Sequence, residues 1–226
     1  MFLRLGDGET ITGLERRDVV LLAERPDVSI TWSRYAPGER GPDPHVHREH
    51  TDAFYVLEGE LTFALGPGGE RIRMRPRGFV AVPPNVVHSF FNEGGVDARW
   101  LNMHAPDTGF AAYLRAARDG VDVAFDSFEA PADGGLPAAE AIVTAPGEGE
   151  RLVLGDQLVL LKGVLPDLCV AEWVLDAPFD GRDLHHRDGQ VDSYYALDED
   201  GKARVVDVHA PDAGFADSLR RDASRR

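Results

Sequence analysis

From residue 28 to residue 92 the chain is a series of short apolar runs cut by turn residues. VSITWSRY, AFYVL, LTFAL, RIRMR, FVAVP and VVHSFF are rich in β-branched and aromatic side chains, with Gly, Pro or Asp between them. Their regular spacing predicts an antiparallel barrel or sandwich, since no helical crossovers separate the strands. One segment breaks the pattern. In PDTGFAAYLRAARDG, residues Phe110, Tyr113, Leu114 and Ala117 keep helical spacing, Asp107 or Thr108 caps the start and Gly120 ends it.

The pattern then repeats. MHAPDTGFAAYLR at 103–115 returns as VHAPDAGFADSLR at 208–220, and TDAFYVLEGE at 51–60 is echoed by VDSYYALDED at 191–200. LGDGE near the start returns as PGEGE at 146–150. Such self-similarity means two copies of one unit. The early matches are offset by about 140 residues and the HAPD match by 105, so the second copy has lost 35 residues. The loss removes the stretch that carries RPRGFVAVPPNVVHSFFN in the first. The expected organisation is a complete unit over 1–125, a Pro-, Gly- and Ala-rich linker over 126–140, and a truncated copy over 141–226, each copy followed by a short helix.

Composition changes this picture little. The 226 residues are 43% hydrophobic and 28% charged, as in an ordinary globular protein. A net charge of −15 with no basic stripe excludes nucleic acid as an expected partner, and the terminal RRDASRR reads as a frayed end. No run is long enough to span a membrane, and MFLRLGDGET lacks the apolar core of a signal peptide. The single cysteine, Cys169 in DLCVAEWVL, reads as a buried strand residue, so a reducing cytoplasm is the expected location.

Candidate chemistry lies in DPHVHREHTDAFYVLEGE, residues 43–60. Strand parity puts His45 and His47 on one face, Asp52, Phe54 and Val56 on one face, and His88 with Val86 and Phe90. If these faces line one interior, three imidazoles and a carboxylate converge among apolar walls. That donor set suits one divalent transition metal per chain: iron, manganese, nickel, copper or zinc. The expected metal ligands are therefore His45, His47, Asp52 and His88. Phe54, Val56, Phe63, Phe90 and Met103 are the expected walls of a pocket for a small-molecule substrate. Glu49 and His50 read as exposed turn residues.

The spacing also carries a resemblance. His45-x-His47, four residues, an acid at 52, six residues and Gly59 resembles the first motif of the cupins; Pro83, Pro84, His88 and Asn92 resemble the second. The likeness covers residues 38–92 closely and implies a double-stranded β-helix, the jelly-roll barrel, holding one metal. Two departures stand out. Asp52 takes the place of the usual Glu, and Asn85 that of a common Gly, which Asn replaces well in left-handed backbone. Within the cupins the chain is similar to the quercetin dioxygenase-like group. That similarity implies an oxygenase of a phenolic or enolisable substrate, with Asp52 taking the substrate's hydroxyl proton. A redox-neutral isomerase, lyase or hydrolase, and a non-catalytic small-molecule binder, are the alternatives. Cupins often pair, and an eroded copy leaves an edge free, so a homodimer is one expectation.

In the second copy His185 corresponds to His45, Arg187 to His47 and Asp192 to Asp52, while His186 falls on the opposite face and His88 has no counterpart. No metal is expected there. His104 and His209 hold equivalent places in the two HAPD segments and are expected to tie the last strand to the helix that follows.

Overall fold

The computed structural model describes residues 1–3, 5–175, 191–199 and 202–225. In chain order the first strands are β1 (Phe2–Leu3), β2 (Glu9–Leu14), β3 (Arg17–Arg25), β4 (Val28–Tyr35), β5 (His45–Val46) and β6 (Thr51–Glu58). They are followed by β7 (Leu61–Leu65), β8 (Glu70–Met74), β9 (Phe79–Val82), β10 (His88–Phe91), β11 (Ala98–Ala105) and helix α1 (Phe110–Asp119). The remainder comprises β12 (Phe128–Glu129), β13 (Ile142–Thr144), β14 (Glu150–Leu154), β15 (Gln157–Val164), β16 (Cys169–Leu175), β17 (Val191–Glu199), β18 (Lys202–Ala210) and α2 (Phe215–Ser224). The all-β expectation holds, with one helix after each copy. No helix of the described residues is long and apolar enough to cross a membrane.

The chain divides into two units, Leu5–Pro146 and Met1–Arg4 with Gly147–Arg226. The first is a jelly-roll pair of sheets. One has the order β13-β9-β6-β11-β4-β3-β2 and the other β12-β5-β10-β7-β8. Inward residues of both, including Phe54, Val56, Phe63, Val80, Phe90 and Trp100, share one core. This is the alternation of two packed sheets, each giving every second residue to the interior. Helix α1 lies on the edge of the larger sheet through Ala111 and Leu114 against Ile11, Val19 and Leu21. Gly109, not Asp107 or Thr108, is its N-cap, and Asp107 Oδ1 accepts from the backbone N–H of Gly109 and Phe110 just ahead of the helix, at 3.0 and 2.8 Å. Gly120, with φ of 70°, ends it. Asn85 has φ of 68°, the left-handed backbone that its place in the motif requires.

The segment 126–140 is not a free linker. Phe128–Glu129 pairs with Val46 and His45, extending the smaller sheet, and Asp126 is buried. Ile142–Thr144, expected to open the second copy, pairs instead with β9 of the first. A stretch rich in Pro, Gly and Ala can lie along a sheet edge when its few donors find partners, and composition alone does not tell the two apart.

Among its described residues the second unit has one sheet, ordered β1-β17-β18-β16-β15-β14. The run β17-β18-β16-β15-β14 repeats β6-β11-β4-β3-β2, and helix α2 covers it through Phe215, Ala216 and Leu219. Among the described residues nothing corresponds to β7, β8 or β10. The 35 missing residues are thus most of a second sheet. His185, His186 and Arg187 lie outside the described residues.

Candidate metal centre

The site forms where the two sheets of the first unit face each other at one end. Pro42 and Pro44 remove backbone donors ahead of β5 and keep it to two residues, so His45 and Val46 are held at the sheet without a long strand. His45 pairs directly with His88 on β10, and directly opposed side chains must meet: the ring centroids are 4.3 Å apart. His47 follows two residues on, with its ring 4.9 Å from His45 and 5.1 Å from His88. Asp52, the second residue of β6 in the other sheet, reaches across. All four are buried, none more than 8% exposed.

One ring nitrogen from each of His45, His47 and His88 lies within 4.8 Å of the others. The remaining nitrogens explain why. Nδ1 of His45 meets the Asp43 carbonyl at 2.9 Å, Nδ1 of His88 meets the Val86 carbonyl at 3.1 Å, and Nδ1 of His47 meets the Asp126 carbonyl. A carbonyl only accepts, so each Nδ1 carries the proton and each Nε2 keeps its lone pair. Asp52 Oδ2 lies 3.2 Å from His88 Nε2 and 3.7 Å from His47 Nε2. Lone pairs facing a carboxylate at such distances are satisfied either by a cation held between them or by a proton on an imidazole. Metal bonds of about 2.0–2.2 Å place neighbouring ligand atoms about 3.0–3.6 Å apart, and the Asp52–His88 distance lies in that range with Asp52–His47 just above it. The donor set fits a divalent transition metal.

Electrostatics follow from this crowding. Burial, with His88 and His47 beside it, pushes His45 down to about 3, so it stays neutral and a ligand. Burial raises the Asp52 carboxyl, but His104, His47 and His88 outweigh it and hold Asp52 well below the usual carboxylate range. His47 is raised: burial lowers it, and the Asp52 carboxylate more than offsets this.

The expected exposed turn is half wrong. Glu49 is exposed, whereas His50 is fully buried. Asp126 is the reason. Its carboxylate accepts from the backbone N–H of Arg48 and Glu49, at 3.0 and 2.8 Å, and from His50 Nδ1 at 2.8 Å. Asp126 therefore clamps the whole His47–His50 loop, and no spacing rule in the sequence singles it out. His50 Nε2 in turn lies 2.8 Å from His104 Nδ1. His104 performs the expected tie to the helix by stacking on Phe110, with centroids 3.6 Å apart, as His209 stacks on Phe215. It also reaches the site, with Nε2 3.3 Å from Asn102 Oδ1 and 3.5 Å from Asp52 Oδ1. His47, His50 and His104 form a second close triad. It competes with the first for His47, and its other two members are already hydrogen-bonded to each other. The first triad, with three tethered Nδ1 groups and a carboxylate, is the better cation site.

A cavity of about 500 Å³ opens beside His45, His47 and Asp52. Of the five expected wall residues only Phe90 borders it. Phe54, Val56 and Phe63 lie in the packed core away from it. Met103 projects from the other face of β11, because Trp100, Asn102 and His104 are the inward residues there. Apolar character misleads at this strand: both faces are buried, and the inward one is polar where it meets the site. Tyr35, Phe110, Tyr113 and Phe125 supply the aromatic wall that the sequence did not reveal.

Residues 31–104 match the family model described as a cupin domain. The quercetin 2,3-dioxygenase of Bacillus subtilis (strain 168) is 34% identical over 91 residues, which are 39% of this chain and 26% of that enzyme. The chain thus matches about a quarter of the length of this curated relative. Among solved structures, KdgF from Halomonas sp. superposes with a TM-score of 0.43 at 20% identity, covering 49% of this chain and 99% of that one. The polyketide cyclase RemF from Streptomyces resistomycificus gives 0.40 at 22% identity, covering 46% and 78%.

Proposed function

From the cupin domain at residues 31–104, we propose a metal-dependent enzyme that oxygenates a small phenolic or enolisable substrate, with one divalent transition metal on His45, His47, His88 and Asp52. One observation carries this reading: three imidazoles, each with Nδ1 fixed on a main-chain carbonyl, bring one ring nitrogen each within 4.8 Å of the others, and two of them face the Asp52 carboxylate. When bound, the metal supplies a Lewis acid with open positions for a substrate oxygen.

The chain's own residues do the rest. His45, His47 and Asp52 border the cavity, so a bound molecule reaches the ligands from that side. Among the described residues Asp52 is the only carboxylate bordering it, and so the acceptor for a proton released there. Asp52 stays ionised, so it is able to accept a proton from an acidic donor such as a phenol or an enol. Asn102 donates to Asp52 Oδ1 and to the Ala53 carbonyl, so the carboxylate keeps its aim. Phe90, Phe110 and Phe125 exclude water and suit a flat ring.

The test is elemental analysis of untagged protein together with oxygen uptake on quercetin. About one equivalent of metal per chain, absent from His88→Ala and His45→Ala, and metal-dependent oxygen uptake support the proposal. Full turnover without oxygen would select redox-neutral chemistry at the same base, and metal with tight binding but no product would select a binder.

A further inference from the structure

The inward face of β4 carries a hydroxyl at every second position along the cavity. Thr31, Ser33 and Tyr35 all border it, and each is at most 6% exposed. Among the described residues none of these three hydroxyls forms a hydrogen bond to the protein, and Arg17 lies 4.3 Å over the Tyr35 ring without engaging its oxygen. Residues two apart on a strand stand roughly 7 Å apart, so the row runs for roughly 13 Å along the cavity wall. Ser29 continues the face but lies outside the cavity. Burial raises the Tyr35 phenol above its ordinary value, so it remains a donor.

The second copy is a control for what the fold itself requires. Across its ladder Cys169 pairs with His209, as Ser29 pairs with His104 in the first. By the same register Thr31 opposite Asn102 becomes Ala171 opposite Asp207, Ser33 opposite Trp100 becomes Trp173 opposite Val205, and Tyr35 opposite Ala98 becomes Leu175 opposite Ala203. None of the three positions keeps its hydroxyl. The sheet folds with Ala, Trp and Leu there, so strand formation does not call for hydroxyls at these positions. In the first copy these positions border the cavity beside the histidine cluster.

We propose that β4 is the substrate-reading wall of the cavity: Thr31, Ser33 and Tyr35 hydrogen-bond a row of hydroxyl or keto oxygens along one edge of a flat, ring-bearing substrate whose inner oxygen lies at the histidines. This rests on the metal-site reading above and adds what sets selectivity. The substrate class is then oxygen-rich along an edge roughly 10 Å or longer, rather than a bare hydrocarbon ring with one chelating group. Thr31, Ser33 and Tyr35 are positioning residues and take no part in holding the metal.

The probes are quercetin and 3-hydroxyflavone, which share the chelating hydroxy-ketone and differ in the remaining ring hydroxyls. Binding to the cobalt-loaded full chain is followed by the cobalt absorption bands and by flavone absorbance. Quercetin is expected to bind more tightly. Thr31→Val, Ser33→Ala and Tyr35→Phe are each expected to weaken quercetin by roughly three- to tenfold while leaving 3-hydroxyflavone nearly unchanged. Circular dichroism checks that each variant folds. Equal affinities for the two flavones, failure of quercetin to bind the cobalt-loaded protein, or equal weakening of both by the variants overturns the proposal. Failure of the underlying metal reading looks different: no cobalt bands form, or binding is the same after chelation.

Discussion

His209 stands directly across the β17–β18 ladder from Asp192, in the register at which His104 stands across from Asp52. The residue two before each histidine differs: Asn102 in the first copy, Asp207 in the second. His209 thus has a carboxylate oxygen of Asp192 at 2.6 Å and one of Asp207 at 3.0 Å. His104 has one carboxylate, at 3.5 Å, and an amide oxygen. Burial holds His104 well below the ordinary imidazole value despite Asp52. In His209 burial lowers it too, but Asp192 and Asp207 outweigh it and raise it to about 9. Two close carboxylates raise His209, whereas His104 has one more distant carboxylate and three neighbouring histidines that lower it.

The pH dependence follows from that difference. A folded-state value of about 9, above the ordinary 6.5 of a free imidazole, means the stabilisation is complete below pH 6.5 and is lost as pH rises through 9. Urea midpoints of the full chain, followed by far-ultraviolet circular dichroism, are expected to fall over that interval. His209→Gln is expected to flatten the fall. A midpoint constant from pH 6.5 to 9.5 contradicts the assignment.

Asp126→Ala removes the acceptor for three donors on the loop that presents His47. Losing a buried, multiply bonded carboxylate is expected to cost about 2–4 kcal/mol. Metal affinity is expected to fall as well, because His47 loses its fixed aim, although the backbone carbonyl of residue 126 remains. Denaturant titration and chelator competition measure the two effects, and a stable variant with unchanged affinity would refute the clamp.

Asp52→Asn removes the negative charge facing His47 and His88 but nearly preserves shape. Metal affinity is expected to drop by about 10- to 100-fold or more in chelator competition, with Asp52→Glu retaining most of it. The apo protein should remain folded, since the amide can still accept from Asn102. Unchanged affinity in Asp52→Asn would leave a three-histidine site.

Met103→Ala separates core from site. Met103 is fully buried but faces away from the cavity, so the substitution is expected to cost about 2–5 kcal/mol and leave metal content unchanged. Loss of metal in a folded Met103→Ala protein would place it nearer the site than its strand face allows.

Local rules decide strand parity, and parity was legible. His45, His47 and His88 have few ways to point once their strands form, and motif spacing fixed the rest. The repeat was legible too, because Asp52 with His104 and Asp192 with His209 recur in the same ladder register. His50, Asp126 and Tyr35 were not. Their roles come from which distant segment returns to which edge, as when 126–129 lies beside β5, and no period or composition encodes that return.

By itself the sequence determined an all-β duplicated chain, one copy shortened, with three histidines and an acid on inward strand faces. The tertiary structure decided which buried face is the cavity and which is plain core, turning Met103 outward and Trp100, Asn102 and Thr31 inward. Strand alternation assigns residues to one of two faces, but only the packing of the second sheet says which face encloses a void. Hydrophobicity could not choose, because both faces are buried and the functional one is the more polar.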